Sequence, residues 1–240
     1  MGKFDLHIHT RRLSDDAELG PVEALRRLEA LGYQGMALTE HNAVWRNDEI
    51  RALSRMTSLL IIPGVELEVD GIGHVLVWGW DEEPLWRYHR WERLGPRIAE
   101  KGLVASVAHP FRTWFPRWAG GREVAVSAER AQALEERWRD VGALEVLNGR
   151  LGPEANRRAR GNADREGWRQ TAGSDAHRVS ELGTAAVELP DSIRSVGRRF
   201  MRLPPAGTKS GHRVWAARDE ERRRPWRIAG WRAWRARWPS

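Results

Sequence analysis

Residues 3–42 read KFDLHIHTRRLSDDAELGPVEALRRLEALGYQGMALTEHN, and the fold is decided there. Lys3–Ile8 has strand composition, and Asp5, His7 and His9 fall on it at every second residue, so a pleated strand turns all three side chains to one face. A helix follows. Pro21 suits its first position, where the missing N–H would have had no partner, and Val22, Leu25, Leu28 and Leu31 keep a helical period up to Gly32. Gly35–Thr39 then returns to strand character. Strand, helix and strand joined by short turns form the unit of a parallel sheet.

The alternation continues outward from this unit. Leu59–Ile62, Leu103–Ala108, Ala143–Leu147 and Gln170–Ala172 read as strands. Asp48–Met56, Leu85–Lys101, Ser127–Asp140 and Pro153–Glu166 read as helices, with Ser127 a suitable N-cap. One segment departs from the pattern: Gly64–Val69 and Gly73–Trp80, joined by Asp70, Gly71 and Ile72, predict a hairpin. The expectation is one α/β domain over residues 1–203, its sheet closed as a barrel or open and doubly wound, followed by a tail over residues 204–240.

Composition removes several function classes. The absence of cysteine excludes disulfides, thiolate metal centres and a cysteine nucleophile. The apolar runs Leu59–Ile62 and Val75–Trp80 are far shorter than the roughly 20 residues of a membrane-crossing helix. Met1 leads directly into the charged Lys3–Asp5 stretch without the apolar core of a secretory signal, so a cytoplasmic location is expected. The formal net charge of +7 is concentrated: residues 204–240 hold ten Lys/Arg and three acids, and residues 1–203 are balanced. With 14 tryptophans, and arginine in place of nearly every lysine, the bias resembles genome composition as much as selection for binding.

The tail reads in three ways. Arg222–Arg224, then Trp226, Trp231, Trp234 and Trp238 interleaved with Arg227, Arg232, Arg235 and Arg237, suit stacking on nucleic-acid bases while neutralising phosphates. The same residues suit an anionic membrane surface, where tryptophan favours the interface, or an extension that covers the barrel.

Eight histidines occur, and six of them, at positions 7, 9, 41, 74, 109 and 177, stand at or beside strand ends; His89 and His212 do not. Carboxylates accompany the six: Glu40 before His41, Glu66 and Glu68 after Pro63-Gly64, and Asp175 before His177. In parallel α/β folds the carboxyl ends of the strands converge on one rim, where residues distant in sequence meet. Imidazoles and carboxylates without thiolate suit Zn²⁺, Mn²⁺ or Fe²⁺, and the donors suffice for two or three divalent ions.

Five motifs occur in order along residues 5 to about 189: Asp5-Leu-His-Ile-His-Thr10, Thr39-Glu-His-Asn42, Pro63-Gly-Val-Glu-Leu-Glu68, Ala108-His-Pro-Phe-Arg112 and Gly173-Ser-Asp-Ala-His177. Together they resemble the polymerase and histidinol phosphatase (PHP) family. The resemblance implies a distorted (β/α)7 TIM-like barrel, the PHP fold, with a two- or three-metal site in which a metal-bound hydroxide hydrolyses phosphate esters. Carried over residue by residue, it implies that His7, His9, Glu66 and Asp175 hold one ion. Glu66 would bridge to a second ion on His74 and His109, and His41, His177 and an aspartate of the loop after His9 would hold a third.

Two departures from the family pattern stand out. Where family members have Ser-Asp-Gly, this chain has Ser14-Asp15-Asp16, which leaves Asp15 and Asp16 both open as the third-ion aspartate. Glu40 stands where aspartate is commoner, long enough to accept a hydrogen bond from His41. Glu145 matches a further family position, as a ligand or as a carboxylate that orients a histidine.

Asp175 or His177 would pass the proton to the leaving oxygen, and Arg112 is the first choice for phosphate binding, with Arg12, Arg150 and Arg178 behind it. The expected substrate is a phosphorylated small molecule, a nucleotide or an oligonucleotide. Two other readings use the same residues: a nucleic-acid-binding or scaffold module with structural metals, and a metal-dependent hydrolase of non-phosphate esters or amides.

Overall fold

The computed structural model describes residues 1–81, 83–112, 128–189 and 214–216. In chain order the elements are β1 (Gly2–Asp5), α1 (Pro21–Ala30), β2 (Gly35–His41), α2 (Asn47–Ser54), β3 (Leu60–Val69), β4 (Gly73–Trp78), a 3-10 turn (Leu85–Tyr88), α3 (Trp91–Lys101) and β5 (Val104–Val107). They continue with α4 (Ala128–Val141), β6 (Ala143–Asn148), α5 (Pro153–Glu166), β7 (Arg169–Gly173), a second 3-10 turn (Val179–Glu181), β8 (Ala185–Leu189) and β9 (Val214–Ala216). The sheet runs β7-β6-β5-β4-β3-β2-β1-β8-β9. Its two halves curl until the chain beyond β1 meets the chain beyond β7: Asp175 N–H donates to the His7 carbonyl at 2.8 Å and His9 N–H to the Ala176 carbonyl at 3.0 Å. The result is the distorted, nearly closed α/β barrel that the motifs imply.

The opening unit folds as its sequence reads. Pro21 opens α1, the Glu23 carboxylate accepts the Gly20 N–H at 2.8 Å, and Gly32 ends the helix at φ +72°. Leu25 and Leu28 pack with Met36 and Leu38 of β2, while Ala37 joins the other cluster, so both faces of β2 are covered. Burying one such leucine contributes about 1.5–3 kcal/mol, which anchors α1 to the sheet.

Four features differ from the sequence expectation. Leu59–Ile62 and Gly64–Val69 read as two segments, yet β3 runs unbroken from Leu60 to Val69, pairing parallel with β2 from Gly35↔Leu60 to His41↔Glu66. The predicted helix 85–101 is a 3-10 turn followed by α3. The hairpin is present as β3 and β4, but β4 is antiparallel to β5 as well, which distorts the parallel barrel. β8, antiparallel to β1, had no sequence reading. Of the tail, Val214–Ala216 pairs antiparallel with β8; its Arg/Trp series, His212 and the Ser127 cap lie outside the described residues.

Closure depends on glycine at one point. A Cβ on Gly173 would lie 2.2 Å from the His7 Cβ and 2.6 Å from the His7 nitrogen. Gly173→Ala is therefore expected to cost about 2 kcal/mol or more, as overpacking against backbone does. Gly161→Ala, in the interior of α5 with nothing within 4 Å of the new methyl, should instead stabilise by about 0.5–1 kcal/mol. Urea denaturation of the two variants checks this; equal midpoints would refute it.

Candidate metal centre

Strand direction explains why the histidines meet. His7 and His9 continue β1, His41 ends β2, Glu66 lies in β3 beside His41 in register, and His109 follows β5. β4 runs the other way, so its beginning, His74, reaches the same rim, where its carbonyl accepts the Ala108 N–H at 2.9 Å. Asp175 and His177 follow β7. Four non-glycine residues have positive φ among the described residues: Asn42, His109, Phe111 and Asp175. All lie in segments that leave these strand ends, where backbone strain is held by the surrounding structure.

Glu66 is the hub. Its Oε1 lies 2.8 Å from His109 Nε2 and 3.0 Å from His74 Nδ1; its Oε2 lies 2.9 Å from His41 Nδ1, 3.3 Å from His9 Nε2 and 3.5 Å from His7 Nε2. Asp175 Oδ1 is 3.4 Å from His9 Nε2 and 3.6 Å from His7 Nε2. Donor atoms of four overlapping trios lie within 4.8 Å of one another: His7–His9–Asp175, His7–Glu66–His109, His41–Glu66–His74 and His9–His41–His177. Asp16 Oδ2 joins the last at 3.1 Å from His177 and 3.4 Å from His41, whereas Asp15, on the same loop, makes no ion pair with these histidines among the described residues.

The donors fit divalent metal ions on a second ground. Glu66 Oε2 and Asp175 Oδ1 are buried without a hydrogen-bond partner, and the Nε2 atoms of His7 and His9 stand 2.9 Å apart, turned toward these oxygens. Buried acceptors are almost always paired, so two unpaired carboxylate oxygens facing paired imidazoles suit a shared cation.

The comparisons agree with this architecture. A family model described as PHP-associated matches residues 153–198. A protein from Bifidobacterium adolescentis, described by inference as a metal-dependent phosphoesterase, is 17% identical with a TM-score of 0.55, over 83% of this chain and 97% of that one. A two-domain protein from Bacteroides vulgatus containing a predicted PHP-like metal-dependent phosphoesterase is 17% identical with a TM-score of 0.58, over 90% of this chain and 64% of that one. The chain shares its barrel fold with these proteins, and its residues 153–198 match a PHP-associated segment. An amidohydrolase from Chromobacterium violaceum, with sulfate bound and no metal, shares the fold at 18% identity and a TM-score of 0.59, over 83% of this chain and 98% of that one. No curated protein matches in sequence.

Around these trios, the barrel holds its histidines by further hydrogen bonds. Glu145 Oε1 lies 2.9 Å from His7 Nδ1, while its Oε2 accepts the His109 N–H at 2.8 Å and the Asn148 side-chain amide at 2.9 Å. Glu145 thus orients His7 so that Nε2 faces the centre. Asn148 also donates to Asp175 Oδ2 at 3.3 Å, a role that nothing in its sequence context beyond the end of a strand announces. Glu40 does not bond to His41; its oxygens turn to Thr10, Ser14 and Trp45.

The four arginines divide. Arg112 Nη1 lies 4.0 Å from Asp175 Oδ2 and Arg150 Nη1 lies 2.8 Å from His177 Nδ1, both beside the centre. Arg12 and Arg178 instead pair with Glu49 and Glu18 on the surface.

Burial by itself would neutralise these groups, and their neighbours reverse it. Burial opposes charge on Glu66 and Asp175, but the surrounding imidazoles, His7 foremost, hold both carboxyls well below the usual range. Burial likewise opposes charge on His7 and His9. The carboxylates of Glu145, Asp175 and Glu66 hold His7 well above its ordinary value, and Asp175 and Glu66 lift His9 to about 9. His177 moves down, through burial and the nearby His9. His177 Nε2 lies 3.1 Å from Asp16 Oδ2, and its Nδ1 lies 2.8 Å from Arg150 Nη1 and 2.9 Å from the Asp175 carbonyl oxygen.

A proton count follows. With its value near 9, His9 is protonated in the metal-free protein at pH 7.5, and a ligand nitrogen must give that proton up. Zinc binding at pH 7.5 should release one or more protons, and apparent affinity should fall by about tenfold or more per pH unit below about pH 9. Calorimetric titration in buffers of different ionisation enthalpy measures both; binding without proton release would contradict the charge assignment.

Proposed function

We propose that the chain is a metal-dependent phosphoesterase. The observation that carries this reading is the convergence of buried, partly unpaired carboxylates and six histidines on one rim, with two arginines beside them. The sulfate bound in the structurally similar amidohydrolase, a tetrahedral anion like phosphate, supports it.

On this reading His7, His9, Glu66 and Asp175 hold a first ion. Glu66, His74 and His109 hold a second, and His41, His177 and Asp16 hold a third, with zinc, manganese or iron the suitable metals. Bound ions supply Lewis acidity toward phosphoryl oxygens and lower the pKa of water. The chain supplies the remainder. Arg112 and Arg150 present planar guanidinium groups to the non-bridging phosphate oxygens, orienting the ester and neutralising its charge. With two ions bound and the third position empty, His177, held neutral beside Asp16, passes a proton to the leaving oxygen; with a third ion bound it is a ligand instead. Glu145 and Asn148 keep His7 and Asp175 in place through the cycle.

The likeness to an amidohydrolase favours one competing reading, hydrolysis of an amide or carboxylic ester by the same ions. Metal-reconstituted protein assayed on a phosphomonoester, a phosphodiester, a 5′-phosphorylated oligonucleotide, an amide and a carboxylic ester separates the two. Turnover is expected on a phosphate ester; turnover confined to the amide or carboxylic ester would reject the proposal.

In the active assay, His7→Ala and Asp175→Ala should lose about 1000-fold or more together with metal. Arg112→Ala should raise KM about tenfold or more, and Arg178→Ala should stay within about twofold of wild type. Arg112→Ala kinetics indistinguishable from those of Arg178→Ala would remove Arg112 from phosphate binding.

A further inference from the structure

Glu40 is fully buried and has no cationic partner among the described residues, yet each of its oxygens accepts two hydrogen bonds. Oε1 takes the Thr10 hydroxyl at 2.6 Å and the Trp45 indole N–H at 2.9 Å. Oε2 takes the Thr10 N–H at 2.9 Å and the Ser14 hydroxyl at 2.6 Å. The Trp45 and Thr10 nitrogens can only donate, one to each oxygen, so the carboxylate is an acceptor on both sides.

This commits the single proton of Ser14. Donated to Glu40, it leaves the Ser14 oxygen only lone pairs for its other neighbours, the His41 N–H at 3.2 Å and His9 Nδ1 at 3.4 Å. His9 Nδ1 must then carry the hydrogen, and Nε2, which faces Glu66 and Asp175, is the nitrogen left to bind. The same network fastens the loop that carries Asp16 to β2, because Thr10 and Ser14 donate to Glu40 and the Ser14 hydroxyl oxygen accepts the His41 N–H.

We propose that Glu40, acting through the Ser14 hydroxyl, is a positioning residue that sets His9 in the tautomer presenting Nε2 to the metal ions and holds the Asp16 loop against β2. His7 receives the same service directly from Glu145; His9 receives it at one remove. The inference rests on the metal-binding reading of the rim but not on the reaction performed there.

The test compares wild type with Ser14→Ala by zinc affinity, using competition with a chelator of known affinity, and by melting of the metal-free proteins. Loss of an outer hydrogen bond to a metal-binding histidine lowers affinity by about 10–100-fold. That loss, larger than any accompanying drop in metal-free melting accounts for, is the expected result. Equal zinc affinity overturns the proposal, and so does a loss matched by equal destabilisation of the metal-free protein. A measurement on wild type alone guards against a variant that fails to fold: ¹⁵N spectra of the zinc-loaded protein should show His9 with Nδ1 protonated and Nε2 coordinated, and the reverse pattern overturns it. Zinc binding without phosphate hydrolysis would reject the phosphoesterase reading and leave this one standing. Equal affinity of wild type and Ser14→Ala would do the opposite.

Discussion

The structure depends on a buried carboxylate, Glu66, whose charge is balanced by imidazoles rather than by lysine or arginine. Five histidines from the ends of four strands approach its two oxygens within 3.5 Å. An ionised carboxylate at 1% exposure is costly unless matched, and here the match requires β1, β2, β4 and β5 all to deliver their rim residues to one place. The barrel's closure, the antiparallel insertion of β4 and the positive φ at His109 all serve that convergence. A centre so built is also one that a divalent cation would stabilise, since proton and metal compete for the same nitrogens.

Around this hub, polar residues act in pairs. Glu145 holds His7 and the His109 backbone; Asn148 connects Glu145 to Asp175; Glu40 and Ser14 hold the loop after His9. Each pair removes freedom from a residue that faces the centre, so the geometry is prepared before any ligand arrives. Arg112 and Arg150 differ in kind, because they border the centre while remaining partly open to solvent, as residues that meet an anion must.

Local reading succeeded where a single periodicity governed a segment. The first βαβ unit, helix α5 at Pro153–Glu166 and the β3–β4 hairpin appear where their patterns lie. It missed β8, a strand of five residues, and it divided β3 at Pro63, where pairing with neighbours on both sides overrides a residue that disfavours strands. Likewise the six rim histidines were visible as strand-end residues, but Asn148 and Ser14 were not, since their roles are defined by what lies across the barrel.

The sequence by itself determined the alternation of strands and helices, the identity of the metal-suited side chains and the face of β1 on which His7 and His9 lie. These follow from periodicity and from the chemistry of single residues. Only the tertiary structure decided that Asp16 and not Asp15 reaches His41 and His177, that Glu40 turns to Ser14 rather than to His41, and that Arg112 and Arg150, but not Arg12 and Arg178, border the centre. In each case the competing residues are chemically alike, and the difference is a direction in space set by how the loops leave the strands.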